Sequence, residues 1–146
     1  MNAMRIISIV ATALFLAGCG STKSFKVEVK NQSSQPVTLW LMKDGPPAED
    51  GWRSPEELGL MPQDSRPTYD LAIIPPGKTG YTDRVSGKFP SGTHALLRIY
   101  AGELELYHML QAERGGKAKR ADVPLKPGDN RFTVADESGN LIVQRN

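Results

Sequence analysis

The chain has 146 residues and a formal net charge of +2, with 18 Lys and Arg against 16 Asp and Glu and a single cysteine. This length suits one domain whose core needs neither a disulfide nor a metal. A charge so close to zero argues against a nucleic-acid partner, because such domains present a strongly basic face. One cysteine also excludes a disulfide within the chain.

The first twenty residues have the layout of a secretory signal peptide. Arg5 precedes an uninterrupted apolar or small run from Ile6 to Ala17. The run is too short for a membrane-spanning helix, which needs about 20 residues. It leads into the sequence LAGC, which ends at Cys19. This order of residues at the end of an apolar run resembles the lipobox of bacterial lipoproteins.

The lipobox resemblance implies a lipid on the Cys19 sulfur, cleavage directly before that residue, and often acylation of the new amino terminus. We therefore expect residues 1–18 to be a cleaved signal peptide and residues 19–24 to be the lipidated cysteine with a short polar tether. Residues 25–146 would then form a single folded domain. A free exported thiol without a disulfide partner is a liability, and lipidation accounts for it.

The residues after the cysteine bear on localisation. Gly20 and Ser21 follow it, and neither is Asp. By the sorting rule of the lipoprotein family, this implies the periplasmic face of the outer membrane in a two-membrane bacterium. In an organism with a single membrane, the same motif implies the outer face of the plasma membrane.

The mature chain alternates strand-like segments with Gly- and Pro-containing turns. Phe25, Val27 and Val29 alternate with charged residues, the period of two that is typical of a half-buried strand. Further segments read as strands are PVTLWLMK, YDLAIIP, GYTDRV, HALLRIYA, ELELYHML, ADVPL, RFTVAD and NLIVQR. One helical turn is expected in SPEEL, where Ser54 would be the N-cap and Pro55 the first helical residue.

The pattern predicts an all-β fold, an immunoglobulin-like β-sandwich of eight or nine short strands. The Cys–Trp–Cys core of antibody domains is absent, so the prediction concerns architecture only. A small closed barrel is the alternative.

The sequence carries no recognisable catalytic or metal-binding motif. His94 and His108 occur in none of the usual ligand spacings, so we expect no metal site and no cofactor. Glu103 and Glu105 would share one face of a strand, as a glycosidase carboxylate pair might, but a solvent-facing strand is the favoured interpretation. We expect a protein that is not an enzyme.

The long proline-rich connection over residues 43–67 is a candidate contact surface. It carries Trp52, Leu58 and Met61, and tryptophan is favoured at protein interfaces. These three residues are candidates for a partner contact, although the favoured interpretation is that the segment folds back to cap one open end of the sandwich.

A second candidate is a basic cluster at a predicted hairpin tip. Arg114, Lys117, Lys119 and Arg120 lie close together in the sequence. They suit contact with anionic headgroups or acidic envelope polymers, with a solvated loop as the default interpretation.

Taken together, these features predict a membrane-anchored envelope lipoprotein with a non-catalytic binding or assembly role. The expected partners are the membrane, through the lipid on Cys19, and another envelope protein. The alternative function is a small-ligand or carbohydrate-binding accessory domain, with Trp40, Tyr100 and Tyr107 as its platform. The oligomeric state stays open.

Overall fold

A computed structural model of the chain describes residues 20–69 and 71–146. The described part is mostly β-structure with a few short helices, which confirms the all-β prediction. The expected signal peptide, residues 1–18, and the expected lipid-attachment residue, Cys19, lie outside the described residues.

Nine strands and two α-helices make up the described part of the chain. The strands are β1 (Ser21–Asn31), β2 (Val37–Asp44), β3 (Ala72–Ile74), β4 (Thr79–Tyr81), β5 (Val85–Phe89), β6 (His94–Ala101), β7 (Arg120–Pro124), β8 (Gly128–Glu137) and β9 (Asn140–Arg145). The helices are α1 (Pro55–Leu60) and α2 (Leu106–Arg114), with single 3-10 turns at Asp50–Trp52 and Gln63–Ser65.

The strands form two sheets. The first has the order β4-β1-β8-β9, with β5 pairing with the early part of β1, and the second has the order β3-β2-β6-β7. β1 and β8 run parallel, whereas the other pairs are antiparallel.

The main core lies between the two sheets. Phe25, Val27 and Val29 of β1 point into it and are almost completely buried, as their alternation predicts. Leu97 and Ile99 of β6 belong to the same cluster. The inward faces of both sheets therefore share a single apolar core.

A second, smaller core covers the outer face of the second sheet. Trp40 of β2 and Tyr100 of β6 lie there beneath Leu58 of α1 and Met109 of α2. This arrangement explains why β2 is apolar at successive positions, since one face of the strand meets the other sheet and the opposite face meets the helices.

Helix α2 replaces a strand that the sequence pattern predicts. The alternating residues of ELELYHML suggest a strand, but the chain forms a helix from Leu106 to Arg114. Met109 and Leu110 follow Leu106 at the three- and four-residue spacing of one helix face, and both are buried. Glu105 is the N-cap residue of this helix, so it and Glu103 do not share the face of a strand.

Helix α1 forms where the sequence predicts a helical turn. The Ser54 side chain accepts a hydrogen bond from the Glu57 N–H, and the Glu57 carboxylate accepts one from the Ser54 N–H. This reciprocal capping box satisfies backbone donors that a helix start would otherwise leave unpaired. The predicted N-cap is therefore confirmed.

Strand β1 begins earlier than its apolar alternation suggests. Residues 21–24, expected as a tether, pair with β5, with Ser21 opposite Phe89 and Ser24 opposite Ser86. Residues 21–24 have no apolar alternation that would predict a strand. They form one because their backbone pairs with the backbone of β5.

Candidate binding cleft

An open cleft lies along one side of the sandwich, where both sheet edges are incomplete. In the first sheet, the edge strand is interrupted between β4 and β5 at residues 82–84. In the second sheet, β3 pairs only with Val37–Leu39, although β2 continues to Asp44. The cleft between the two edges has a volume of about 470 Å³.

The lining of the cleft combines an apolar floor with a polar and aromatic rim. Leu39, Leu41 and Val85 contribute apolar side chains, and two tyrosines and two aspartates add polar groups. The lining residues are Leu39, Trp40, Leu41, Asp50, Gly51, Pro67, Thr68, Tyr69, Leu71, Ala72, Tyr81, Thr82, Asp83 and Val85.

One wall is built around Tyr69. Its ring stacks on Trp40, with centroids 5.0 Å apart and an interplanar angle of 20°. The Trp40 Nε1–H donates a hydrogen bond of 2.8 Å to the Arg53 carbonyl, and the Tyr69 hydroxyl donates to the Asp50 carbonyl. Burial, assisted by the negative charge of Asp50, raises the pKa of Tyr69. This wall is therefore fixed and carries a neutral phenol.

The opposite wall is more open. Tyr81 is 58% exposed, and the Lys26 ammonium lies 6.0 Å from the centre of its ring. Thr82 anchors the chain here, because its N–H donates to the Val27 carbonyl at 2.9 Å and its Oγ1 accepts from the Val27 N–H at 3.1 Å. Asp83 follows as an exposed carboxylate at the rim.

This arrangement suits an amphipathic ligand. An apolar floor favours an aliphatic or aromatic group, whereas the rim carboxylate of Asp83 and the ring of Tyr81 favour a nearby positive charge. The Asp50 carboxylate is already paired with Arg53, whose Nε lies 3.1 Å from Oδ1. Within the described residues, no group of three or more His, Cys, Asp or Glu side chains is placed to hold a metal ion.

A cluster of charged residues fixes the helices on the second sheet. Arg98 of β6 is 5% exposed and donates from Nη1 to both oxygens of Glu56, at 2.7 and 3.0 Å. Its Nε donates to Asp122 of β7 at 3.1 Å. The Tyr100 hydroxyl donates to Glu113 of α2 at 2.9 Å, and Arg120 also pairs with Glu113. The cluster thus joins α1, α2, β6 and β7.

The charge cluster perturbs the ionisation of its members. Burial raises the pKa of Tyr100, and its hydrogen bond to Glu113 acts in the same direction. Burial also opposes ionisation of Glu56, but hydrogen bonds from its own backbone N–H and from Arg98 outweigh it, so the pKa of Glu56 is lowered. In the described part of the chain, every buried side-chain nitrogen and oxygen has a hydrogen-bond partner, those of this cluster included.

The three residues predicted as a partner contact lie mainly in the core. Trp52 is 2% exposed, and its ring packs edge-on against Phe25 and Phe89. Its Nε1–H donates to the Ser86 carbonyl at 3.0 Å. Leu58 is completely buried beneath α2, and Met61 packs against the same second core. The segment therefore folds back, as the favoured interpretation expects, and the candidate contact formed by these three residues is not an exposed surface.

The residues of the predicted basic cluster lie in different elements. Arg120 lies in β7 and pairs with Glu113 and Glu56, so its charge is already balanced. Arg114 ends α2, while Lys117 and Lys119 lie in the connection to β7, and there is no hairpin tip. The segment before these residues is helix α2 and not the predicted strand, so they do not lie at a turn between two strands.

The predicted aromatic platform does not form. Trp40 and Tyr100 are buried under the helices, whereas Tyr107 is 64% exposed on α2. His94 begins β6 and His108 lies in α2, so these two residues belong to different elements. The side chains that line the cleft, notably Tyr69, Tyr81 and Asp83, have no distinctive sequence signal, because only the meeting of two sheet edges brings them together.

Comparison of the chain with protein-family models, curated proteins and solved structures finds no match in any of the three. Within the described residues, no helix has both the length and the apolar character needed to cross a membrane.

Proposed function

We propose that the chain is a lipid-anchored envelope protein that binds another envelope protein and carries out no catalysis. The LAGC sequence after an apolar run supports the anchor on Cys19. The proposed location is the periplasmic face of the outer membrane, or the outer face of the plasma membrane in an organism with one membrane.

The binding role rests on the cleft between the two sheet edges. An apolar floor with a few convergent polar groups is typical of a binding site. The proposed occupant is a partner segment that places an apolar side chain on Leu39 and Leu41 and a Lys or Arg near Asp83. An aromatic ring is a favoured contact for an apolar side chain and for the cation of Lys or Arg. Tyr81 is the most accessible ring at the rim of the cleft.

Site-specific photo-crosslinking in intact envelopes tests this proposal. A benzophenone amino acid at Tyr81 of the full chain is expected to capture one dominant protein. The same substitution at Tyr107 is the matched control, because the two tyrosines have similar exposure, 58% and 64%, and Tyr107 lies on α2 away from the cleft. A protein captured equally at both positions, or at neither, contradicts the proposed contact.

A small-ligand or carbohydrate-binding role is the second candidate. The specific observation in its favour is the exposed Tyr81 ring beside Thr82 and Asp83, since a sugar can stack on a ring while its hydroxyls bond to oxygen atoms. A glycan screen with the full chain is expected to give a hit that Tyr81→Ala removes and Tyr107→Ala retains. Binding that both variants retain would contradict a sugar site in this cleft.

The immunoglobulin-like subclass of the fold stays a prediction. Two facing sheets around one core support it at the level of architecture. The strand order differs from the A-B-E-D and C-F-G order of immunoglobulin constant domains, since β1 pairs in parallel with β8.

A further inference from the structure

The start of the described chain is held directly against the sandwich. β1 begins at Ser21, which pairs with Phe89 at the end of β5. Gly20 packs on Pro90 so closely that a Cβ atom at Gly20 would lie 3.0 Å from the ring of that proline. The short polar tether expected at residues 20–24 is therefore part of strand β1 from Ser21 onward.

If Cys19 is lipidated as proposed, the packing of Gly20 fixes how close the domain lies to the membrane. Consecutive Cα atoms are about 3.8 Å apart, so Gly20 cannot lie far from an acylated Cys19. Acyl chains buried in the bilayer place that cysteine at the level of the lipid headgroups. Strand β1 begins at Ser21, only two residues after Cys19. The end of the sandwich that contains Ser21 therefore also lies at the level of the headgroups.

We propose that the end of the sandwich formed by Gly20, the turn Pro90–Thr93 and the neighbouring turn Gly45–Pro47 rests directly on the lipid headgroups. The two turns belong together because the Thr93 hydroxyl donates to the Pro46 carbonyl at 3.1 Å. We call this surface the proximal end. The domain then has a fixed orientation on the membrane, with β1 leading away from the bilayer.

The chemistry of the proximal end suits a headgroup surface. A shallow depression of about 420 Å³ lies beside Gly20, with Lys23 and His94 among its lining residues. Lys23 takes part in none of the ion pairs of the described part of the chain, so its charge is available to a lipid phosphate. Ser91 and Gly92 are small, exposed turn residues that allow close approach.

Lys119, one of the residues predicted to contact headgroups, lies at the opposite end. Lys119 is adjacent to the end of β6, where its carbonyl accepts from the Ala101 N–H, and its ammonium donates to Gly139 beyond β8. β1 has 11 residues, which corresponds to about 36 Å at the rise of a strand. Lys119, and Lys117 two residues before it, therefore lie at the end of the sandwich away from the membrane that anchors Gly20.

Fluorescence quenching by headgroup-labelled lipid tests the orientation. A thioether at Cys19 removes the native thiol, so one introduced cysteine is a unique labelling site in the acylated full chain. Bimane is placed on Ser91→Cys at the proximal end or on Lys117→Cys at the far end. Each protein is reconstituted into vesicles of phosphatidylethanolamine and phosphatidylglycerol that contain a headgroup nitroxide.

The label on Ser91→Cys is expected to lose most of its fluorescence, while the label on Lys117→Cys retains nearly all of it. An insertion of five residues of Gly and Ser between Gly20 and Ser21 adds a flexible segment of up to about 17 Å between the lipid anchor and β1. This insertion should weaken the quenching of the label on Ser91→Cys. Equal quenching of the two labels in protein that floats with the vesicles overturns the orientation but leaves the anchor intact. Protein that fails to float overturns both the proposed anchor and the orientation.

Discussion

At the scale of single residues, Trp52 shows how a loop aromatic becomes part of the core. It lies in a 3-10 turn between β2 and α1 and fills the space beside Phe25 and Phe89. Gly87 makes room for it, since a Cβ there would lie 2.6 Å from the indole nitrogen. The Trp52 side chain therefore fastens the β2–α1 connection to strands β1 and β5 of the first sheet.

Trp52→Ala is expected to lower the free energy of unfolding by about 3–5 kcal/mol, the usual cost of truncating a buried large aromatic side chain. Urea unfolding followed by circular dichroism measures the change. Leu60→Ala is the control, because Leu60 is 85% exposed and its loss should change stability by less than about 0.5 kcal/mol. A Trp52→Ala protein as stable as the control would place Trp52 outside the core.

At the scale of elements, the short helices depend on the charge cluster around Arg98. Helix α1 has only 6 residues, too few for stability on its own. Its Glu56 carboxylate accepts two hydrogen bonds from Arg98, while Leu58 fills the second core. Polar and apolar contacts together hold α1 on the sheet.

Acid should weaken this attachment. The pKa of Glu56 is lowered from 4.5 in the folded chain, so the folded state binds this proton less readily than the unfolded state. The contribution of ionised Glu56 to the free energy of unfolding is therefore complete above the ordinary glutamate pKa. It is lost as the pH falls through the lowered pKa of the folded state. Glu56→Gln is expected to cost about 1 kcal/mol at neutral pH, discounted for partial exposure, and to flatten the acid loss of stability.

Unfolding curves measured from about pH 6 to pH 3 reveal this linkage. Asp64→Asn is the matched control, since Asp64 is exposed in a 3-10 turn outside the cluster. Coincident stability profiles for Glu56→Gln and the unmodified protein, at neutral as well as acid pH, would show that Glu56 adds nothing to the attachment of α1.

At the scale of the whole molecule, the cleft and the proposed anchor lie on different parts of the sandwich. The cleft opens at the side where β3 and the β4–β5 edge end, whereas Gly20 lies at the end formed by the β5–β6 turn. A protein resting on its proximal end would keep Tyr81 and Asp83 accessible from the side. Anchoring and binding are therefore compatible in one domain.

Cys19→Ser is expected to abolish palmitate incorporation and to move the protein from the membrane fraction to the soluble fraction. The physical reason is that acyl chains supply the membrane affinity, at about 0.8 kcal/mol for each buried methylene. Ser21→Ala is the control, because it leaves LAGC unchanged. Palmitate labelling that survives in Cys19→Ser would contradict the anchor.

Local patterns by themselves determined several features of this protein. The alternation of Phe25, Val27 and Val29 predicted the buried face of β1, because successive strand residues point to opposite sides. Ser54 and Pro55 predicted the start of α1, because a capping box depends on neighbours in sequence. The lipobox prediction likewise depends on a short contiguous motif, and it stays a prediction.

Only the tertiary structure decided the rest. Residues 106–114 form a helix whose Met109 covers Trp40 and Tyr100 on the outer face of β2 and β6. This burial depends on residues distant in sequence, so no local pattern predicts it. Trp52 entered the core through contacts with strands far from it in the sequence. The cleft exists because two sheet edges end at the same place, so its residues are neighbours in space without being neighbours in the chain.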